Sequence, residues 1–397
     1  MSVLLESVSA HDVFISSIQQ QSQLDSFAES ALQQGIELYQ QEDYEGAIKS
    51  FKRSIGISPR SEYAIDIYNY IANSYLHLDD TESAIEAYTK ALRMDTSRDD
   101  VHIKLGNVYF GLKRYKEAED EYAKAVRLNP SANNYYALGQ AYLNTGKYNE
   151  AEVLFKKVRE LTPNEPSGLF GLGLTYSKQE RFNEAIEQFS ESIAIDEEFY
   201  DAYAELGYTY ADMGFIDKAE EQLTILEDKD PSLAYILESY IYKKKSPKIL
   251  FAHITGSFKY QMPLKTPLSA LDTYLEQANA EKSFTMIFQF DKQMERESVE
   301  NELNWKISRA AGDSPGENYN FGLPISSIEV KVPTYPDYVY YDDSNLTAVV
   351  KFTLRQNDTA DARIDPSHIE FRFSGKDIFG NVMHTDYDQF TGFSKVA

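Results

Sequence analysis

What most constrains this chain is a short pattern that returns about every 34 positions between residues 28 and 233. Its third copy reads Leu105-Gly106, Tyr109, Ala118, Tyr122, Ala125 and Pro130. Later copies keep the order: Leu138-Gly139, Tyr142, Ala151, Phe155 and Pro163; Leu172-Gly173, Tyr176, Ala185 and Phe189; Leu206-Gly207, Tyr210, Ala219 and Pro231. The first two copies are looser, with Gly35, Ala47, Phe51 and Pro59, then Ala72, Tyr75, Ala84, Tyr88 and Ala91. Within each copy, small and apolar residues fall at helical spacing twice, so each repeat is expected to be two antiparallel helices. Glycine or alanine at the crossing lets two backbones approach, and the aromatics fill the space beside it. Pro59, Pro130, Pro163 and Pro231 stand where the second helix must stop, because proline cannot donate the next backbone hydrogen bond. Lys113-Arg-Tyr-Lys-Glu-Ala118 and Gly146-Lys-Tyr-Asn-Glu-Ala151 supply the turn and restart the second helix.

These residues resemble the tetratricopeptide repeat family over about half of the chain. The resemblance implies an all-α superhelix of six helix-turn-helix repeats, with the first helices lining a concave groove that takes extended peptides or helices. The family's first-helix tryptophan is replaced by Ala31, Tyr68, His102, Tyr135, Leu169 and Tyr203, which implies looser packing locally. Taking the Gly or Ala of each repeat as reference, the residues one after it and three before it are expected to face the groove. They include Asn69, Asn73, Asn107, Tyr136, Gln140, Phe170, Leu174 and Tyr208, with Lys104 nearby. Amides pair with a peptide backbone and aromatics accept apolar side chains, a combination suited to an extended ligand. Asn73, Asn107 and Lys104 are partly similar to the clamp with which some members of the family hold a C-terminal carboxylate, although its other basic positions are not filled here.

Residues 1–27 carry Leu4, Leu5, Val8, Ile15, Ile18 and Leu24 among Ser and Gln, an amphipathic segment expected to cap the exposed end of the array. The first basic residue is Lys49, so no positively charged leader region is present, and no apolar run reaches the ~18 residues of a membrane span. The expected location is therefore cytoplasmic, with export to a cell surface or appendage by a signal-peptide-independent route as the alternative. The formal net charge of −24 disfavours a nucleic-acid partner, whose phosphates need clustered Lys and Arg. Without cysteine, the chain has no disulfide, thiolate nucleophile or Cys-based zinc site.

Residues 234–246 read as a capping helix ending in lysines, followed by a linker, with Lys243-Lys-Lys-Ser-Pro247 as the domain boundary. From 247 to 397 the period becomes alternating. Lys248–Ile254, Phe284–Phe290, Ser327–Val332, Thr347–Leu354 and Ile369–Phe373 read as strands, separated by Gly, Pro, Asp and Asn clusters, and together predict an all-β sandwich. Residues 263–282 interrupt the series, and Leu268–Glu276 predicts a short helical insertion. Phe290-Asp-Lys-Gln-Met294, Ser298-Val299, Asn304-Trp305-Lys-Ile307 and Asp377-Ile-Phe-Gly-Asn381 look like the motifs of bacterial immunoglobulin-like domains of the Big_5 kind. That resemblance implies an immunoglobulin-like sandwich serving as a spacer or contact domain, with Asp291 standing where the family has serine.

Other motifs carry less. Gly168-Leu-Phe-Gly-Leu-Gly173 lies inside a repeat helix and lacks the Lys-Ser/Thr of a phosphate loop, so it reads as packing. Asp342, Asp343, Asp358, Asp361 and Asp365 sit on turns, where calcium binding or a glycosidase pair are the alternatives to simple solvation; their spacing matches neither. His11, His77, His102, His253, His368 and His384 are scattered without ligand or triad spacing, and Asn345 and Asn357 lie in chance glycosylation sequences. The expectation is a non-enzymatic scaffold with no catalytic, metal or cofactor site. It would bind a protein or peptide in the groove and use the second domain as a further contact module, with self-assembly possible. The alternative is a structural subunit of a bacterial surface or appendage assembly.

Overall fold

The protein was analysed as a computed structural model that describes residues 10–392, with side chains from residue 20. Thirteen helices come first among these residues: α1 (Ala10–Gln40), α2 (Tyr44–Ile57), α3 (Ala64–His77), α4 (Thr81–Met94), α5 (Asp99–Gly111), α6 (Tyr115–Leu128), α7 (Ala132–Asn144), α8 (Tyr148–Leu161), α9 (Ser167–Lys178), α10 (Phe182–Ile195), α11 (Tyr200–Asp212), α12 (Ile216–Lys229) and α13 (Pro231–Lys244). The chain forms two compact units, residues up to 209 with 221–234, and residues 210–220 with 235 onward.

In the first unit the repeat chemistry is visible residue by residue. Ala47, Ala84, Ala118, Ala151 and Ala185 have no exposed surface. A Cβ on Gly35, Gly106, Gly139 or Gly173 would come within 2.5–2.9 Å of the ring of Phe51, Tyr122, Phe155 or Phe189, so the helix pair closes only because a side chain is missing there. Between the helices of each repeat one residue takes a left-handed backbone: Glu42, Asp79, Lys113, Gly146 or Glu180. Asp43 and Asp80 then accept hydrogen bonds from the backbone N–H of Gly46 and Ser83, satisfying orphan donors at the start of α2 and α4.

Of the amphipathic N-terminal segment, residues 10–27 belong to α1. Helix α1 runs unbroken into the first repeat, and the side chains of residues 20–27 are almost all exposed, including Leu24 and Phe27. Ala28 accepts from Ser54 Oγ of α2 through its carbonyl, and one turn earlier Asp25 accepts from Ser58 Oγ at the end of α2. Leu4, Leu5 and Val8 lie outside the described residues, as do the side chains of Ile15 and Ile18.

The second unit holds α13 and an antiparallel β domain: β1 (Ile249–Ala252), β2 (Thr266–Pro267), β3 (Glu281–Phe290), the short helix α14 (Arg296–Glu300), β4 (Trp305–Arg309), β5 (Tyr338–Asp342), β6 (Thr347–Arg355), β7 (Arg363–Ile364), β8 (Ile369–Phe373) and β9 (Gln389–Phe390). A four-stranded sheet in the order β1-β3-β6-β5 faces a three-stranded sheet β4-β8-β9, and β2 pairs with β7. Alternating side chains from both sheets meet in an aromatic core. Phe288 lies 5.1 Å from Trp305 and 5.4 Å from Phe371, and Phe290 lies 5.5 Å from Phe373. Strands expected at 248–254, 284–290, 347–354 and 369–373 are present, within small shifts at their ends. Ser327–Val332 is not a strand. It is bracketed by Pro324 and Pro333 and makes only a bridge from Glu329 to Arg363. Leu268–Glu276 forms two 3-10 turns rather than an α-helix, and Leu268, Leu271 and Leu275 are buried in the core, so the segment is part of the domain instead of an addition to it.

Helix α13 is tied to this domain by a buried cation. Lys292, 2% exposed, donates from Nζ to Asp377 and to the carbonyls of Tyr242 and Lys245, each at 2.7 Å. Asn381 Nδ2 donates to the Lys243 carbonyl at 2.6 Å. The β domain thus satisfies carbonyls that the end of α13 leaves unpaired, and their partial negative charge helps hold the ammonium. The Asp377–Asn381 turn is built for this: Asp377 Oδ1 accepts the backbone N–H of Phe379 and Asn381, with Gly380 at φ 88°.

Candidate groove on the first-helix face

The candidate groove is assembled from α3, α5, α7 and α9, the first helices of repeats two to five. On α3 and α5 two asparagines sit one residue after the small residue of the crossing. Each faces the tyrosine of its own second helix. Tyr88 OH donates to Asn73 Oδ1 at 2.6 Å, and Tyr122 OH donates to Asn107 Oδ1 at 2.7 Å. With the amide oxygen occupied, the orientation of each side chain is set and its Nδ2 is left to donate outward. Both tyrosines are buried, and burial, assisted by Tyr39, pushes the Tyr88 hydroxyl up to about 12; Tyr122 is raised by burial as well. Lys104 stands between the asparagines, its Nζ 3.8 Å from Asp100. Asn73, Tyr88, Lys104, Asn107, Leu76 and Leu112 line one open cleft of about 460 Å3.

Further along, the second-helix aromatics are Phe155 and Phe189, which cannot donate a hydrogen bond. The matching first-helix residues are Gln140 and Leu174, both half-buried. Gln140 Nε2 donates instead to Tyr136 OH at 3.0 Å, and the Tyr136 ring meets Phe155 edge-on at 5.5 Å. Burial raises the Tyr136 hydroxyl, against the opposing effect of Gln140. Phe170 packs edge-on against Phe199 at 4.8 Å and lies 5.8 Å from Phe189. Tyr208 is half-buried on α11, its hydroxyl also raised by burial.

The structure therefore brings Asn73, Lys104 and Asn107 together, pairs Tyr136 with Gln140, and sets Phe170 among aromatics. Asn69 departs from the expectation. It is 6% exposed with an unpartnered Oδ1, packed inside the array instead of facing the groove. Tyr88 and Tyr122, which orient the two amides, were not among the expected groove residues. Their signal was present: asparagine follows the small residue where the second helix carries tyrosine, and another residue follows it where that helix carries phenylalanine.

The remaining motifs have structural places. Gly171 and Gly173 leave room for the rings of Phe155 and Phe189, and Gly168 for the backbone of Arg159. Asp342 accepts from Ser344 and Asn345, Asp361 from Asn357 and Thr359, and Asp365 is buried against His368; among the described residues no group of three or more His, Asp or Glu is placed to hold a metal. No helix among them is long and apolar enough to cross a membrane.

Residues 71–133 and 131–198 match descriptions of the tetratricopeptide repeat. The BBSome complex member BBS4 of Bos taurus is 25% identical over 173 residues, 44% of this chain and 33% of that protein. Anaphase-promoting complex subunit 3 of Schizosaccharomyces pombe is 20% identical over 197 residues, 49% of this chain and 30% of that protein. The chain thus spans about a third of the length of the curated relatives it matches. A solved tetratricopeptide repeat protein from Parabacteroides merdae has the same fold over 54% of this chain and 86% of its own, at 18% identity and a TM-score of 0.51. YrrB, a tetratricopeptide repeat protein described as having an unusual peptide-binding site, is 28% identical over 49% of this chain and all of its own, with a TM-score of 0.39. Residues 71–198 thus match tetratricopeptide repeats, the whole helical part has the fold of such an array, and a β-sheet region follows it.

Proposed function

We propose that this protein is a non-enzymatic interaction scaffold whose first-helix groove binds an extended peptide or protein segment. The observation that carries this reading is the pair of oriented amides. Asn73 and Asn107 are each fixed by a tyrosine hydroxyl so that an Nδ2 donor points outward, in one cleft with the cation of Lys104. Amide donors spaced along successive repeats suit the carbonyls of an extended chain, and Tyr136 and Phe170 offer apolar contacts further on. The β domain supplies a second contact surface in this reading, and its aromatic sandwich with the Asp377–Asn381 turn supports an immunoglobulin-like assignment.

The test is selection of a random peptide library on the full chain, followed by fluorescence anisotropy of a selected peptide. Replacing both asparagines by alanine is expected to weaken binding roughly tenfold or more, since each lost hydrogen bond is worth about 1 kcal/mol. Selected peptides that bind the Asn73→Ala, Asn107→Ala variant unchanged would remove the groove from the proposal.

A further inference from the structure

On the opposite, second-helix face the third repeat has a wider groove than the second. Tyr68 stands in the second repeat where His102 stands in the third. The groove between α2 and α4, over Tyr68, holds about 260 Å3, whereas that between α4 and α6, over His102, holds about 660 Å3. In the fourth repeat Tyr135 is covered by Lys157, 5.0 Å above its ring. The smaller imidazole is drawn inward. Its Nδ1 lies 2.6 Å from Glu121 and its Nε2 3.3 Å from the Thr96 carbonyl, so the space above it stays open.

The floor of this groove is apolar, with Leu92, Leu105 and Leu128, and its rim is basic. Lys124 is paired with Glu121. Arg93 and Arg127 are exposed and, among the described residues, neither has a carboxylate within ion-pair distance, in a chain of net charge −24. By contrast Arg98, Arg114 and Arg181 each hold two carboxylates. An apolar floor between two unpaired guanidiniums is complementary to an acidic amphipathic helix.

Such a helix is part of the same chain. Helix α1 spans 31 residues against 12–14 for the other helices of the array. Its stripe of Ala28, Ala31 and Leu32 packs on α2, but the same face continues into Leu24 and Phe27, 45% and 60% exposed. The helix carries Asp12, Asp25, Glu29 and Glu37, and the first Lys or Arg of the sequence is Lys49. The geometry points to docking of residues 24–29 of α1 from a second copy in the His102 groove of the first, with Leu24 and Phe27 on the leucines and the carboxylates of Asp25 and Glu29 on Arg93 and Arg127. The two surfaces differ, so the contact is head-to-tail and extends through successive copies.

Sedimentation velocity of the full chain over a concentration series, at low and high salt, tests this. The expected result is concentration-dependent association that salt weakens. His102→Tyr, which narrows the groove with the residue that the second and fourth repeats carry, the double charge reversal Arg93→Glu, Arg127→Glu, and Phe27→Glu should each raise the dissociation constant by at least about tenfold. Far-UV circular dichroism should stay unchanged, and binding of the peptide selected on the Asn73–Asn107 groove should persist in His102→Tyr, which separates this contact from that one. A chain that stays monomeric throughout, association that ignores the groove variants, or association lost only with Phe27→Glu would each overturn the proposal.

Discussion

The helical array and the β domain are held together from opposite ends of the sequence scale. In the array the bonds that matter join residues one helix pair apart: Tyr88 to Asn73 and Tyr122 to Asn107 both span 15 positions. In the β domain Ser283 meets Thr353 across 70 positions, and Gln356 reaches the Leu275 carbonyl across 81. A defect in the array should therefore stay near its repeat, while a defect in the β domain should be felt by the whole sandwich. The two can be followed separately, because the single tryptophan, Trp305, is fully buried in the β core, and the helices dominate far-UV circular dichroism.

The largest effect should come from Lys292→Met. It leaves Asp377 buried without its cation and uncaps α13, for a loss of about 4 kcal/mol. Urea unfolding followed by Trp305 emission should show it, with much less change in the helical signal from the first repeats. Next, Gly106→Leu drives new atoms into the Tyr122 ring and should cost about 2 kcal/mol or more, read in the helical transition with Trp305 little affected. Equal loss in both signals for either variant would mean that the contrast between the two regions is wrong.

A smaller effect sharpens the account of the groove. Tyr88→Phe and Tyr122→Phe should each cost about 1 kcal/mol and weaken peptide binding, because the asparagine amide is freed to turn. Burial raises the folded pKa of the Tyr88 hydroxyl above its ordinary value of 10.0, to about 12, so its contribution is complete below 10 and is lost as pH rises toward 12. Tyr88→Phe should flatten that alkaline loss in a titration followed by circular dichroism. The smallest effect is at Glu152. Burial opposes its charge, but Lys156 and Arg181 hold its carboxyl below the usual range, so its stabilisation is present above that range and fades as pH falls through the lowered folded value. Glu152→Gln should remove about 0.5 kcal/mol at neutral pH and less in acid.

The same contrast explains what could be read from the sequence. Period and composition are local properties, so the repeats, their buried alanines and the glycine contacts with Phe51, Tyr122, Phe155 and Phe189 were legible before any coordinates. The β domain was legible only as strands. Its pairing, the 3-10 turns that bring Leu268 and Leu275 into the core, and the loss of a strand at Ser327–Val332 depend on partners far along the chain. In the groove, the positions of Asn73, Lys104 and Asn107 followed from spacing. The burial of Asn69 did not, because it depends on how neighbouring helices pack around α3. The tyrosine clamps and the open space above His102 likewise required knowing which side chain meets which.

The most direct test of the central claim is hydrogen–deuterium exchange of the full chain with and without a peptide selected on it. The account predicts added protection in α3 and α5, around Asn73 and Asn107, extending into α7 and α9 and absent from the Asn73→Ala, Asn107→Ala variant. Protection confined to the β domain or to the second helices would contradict it.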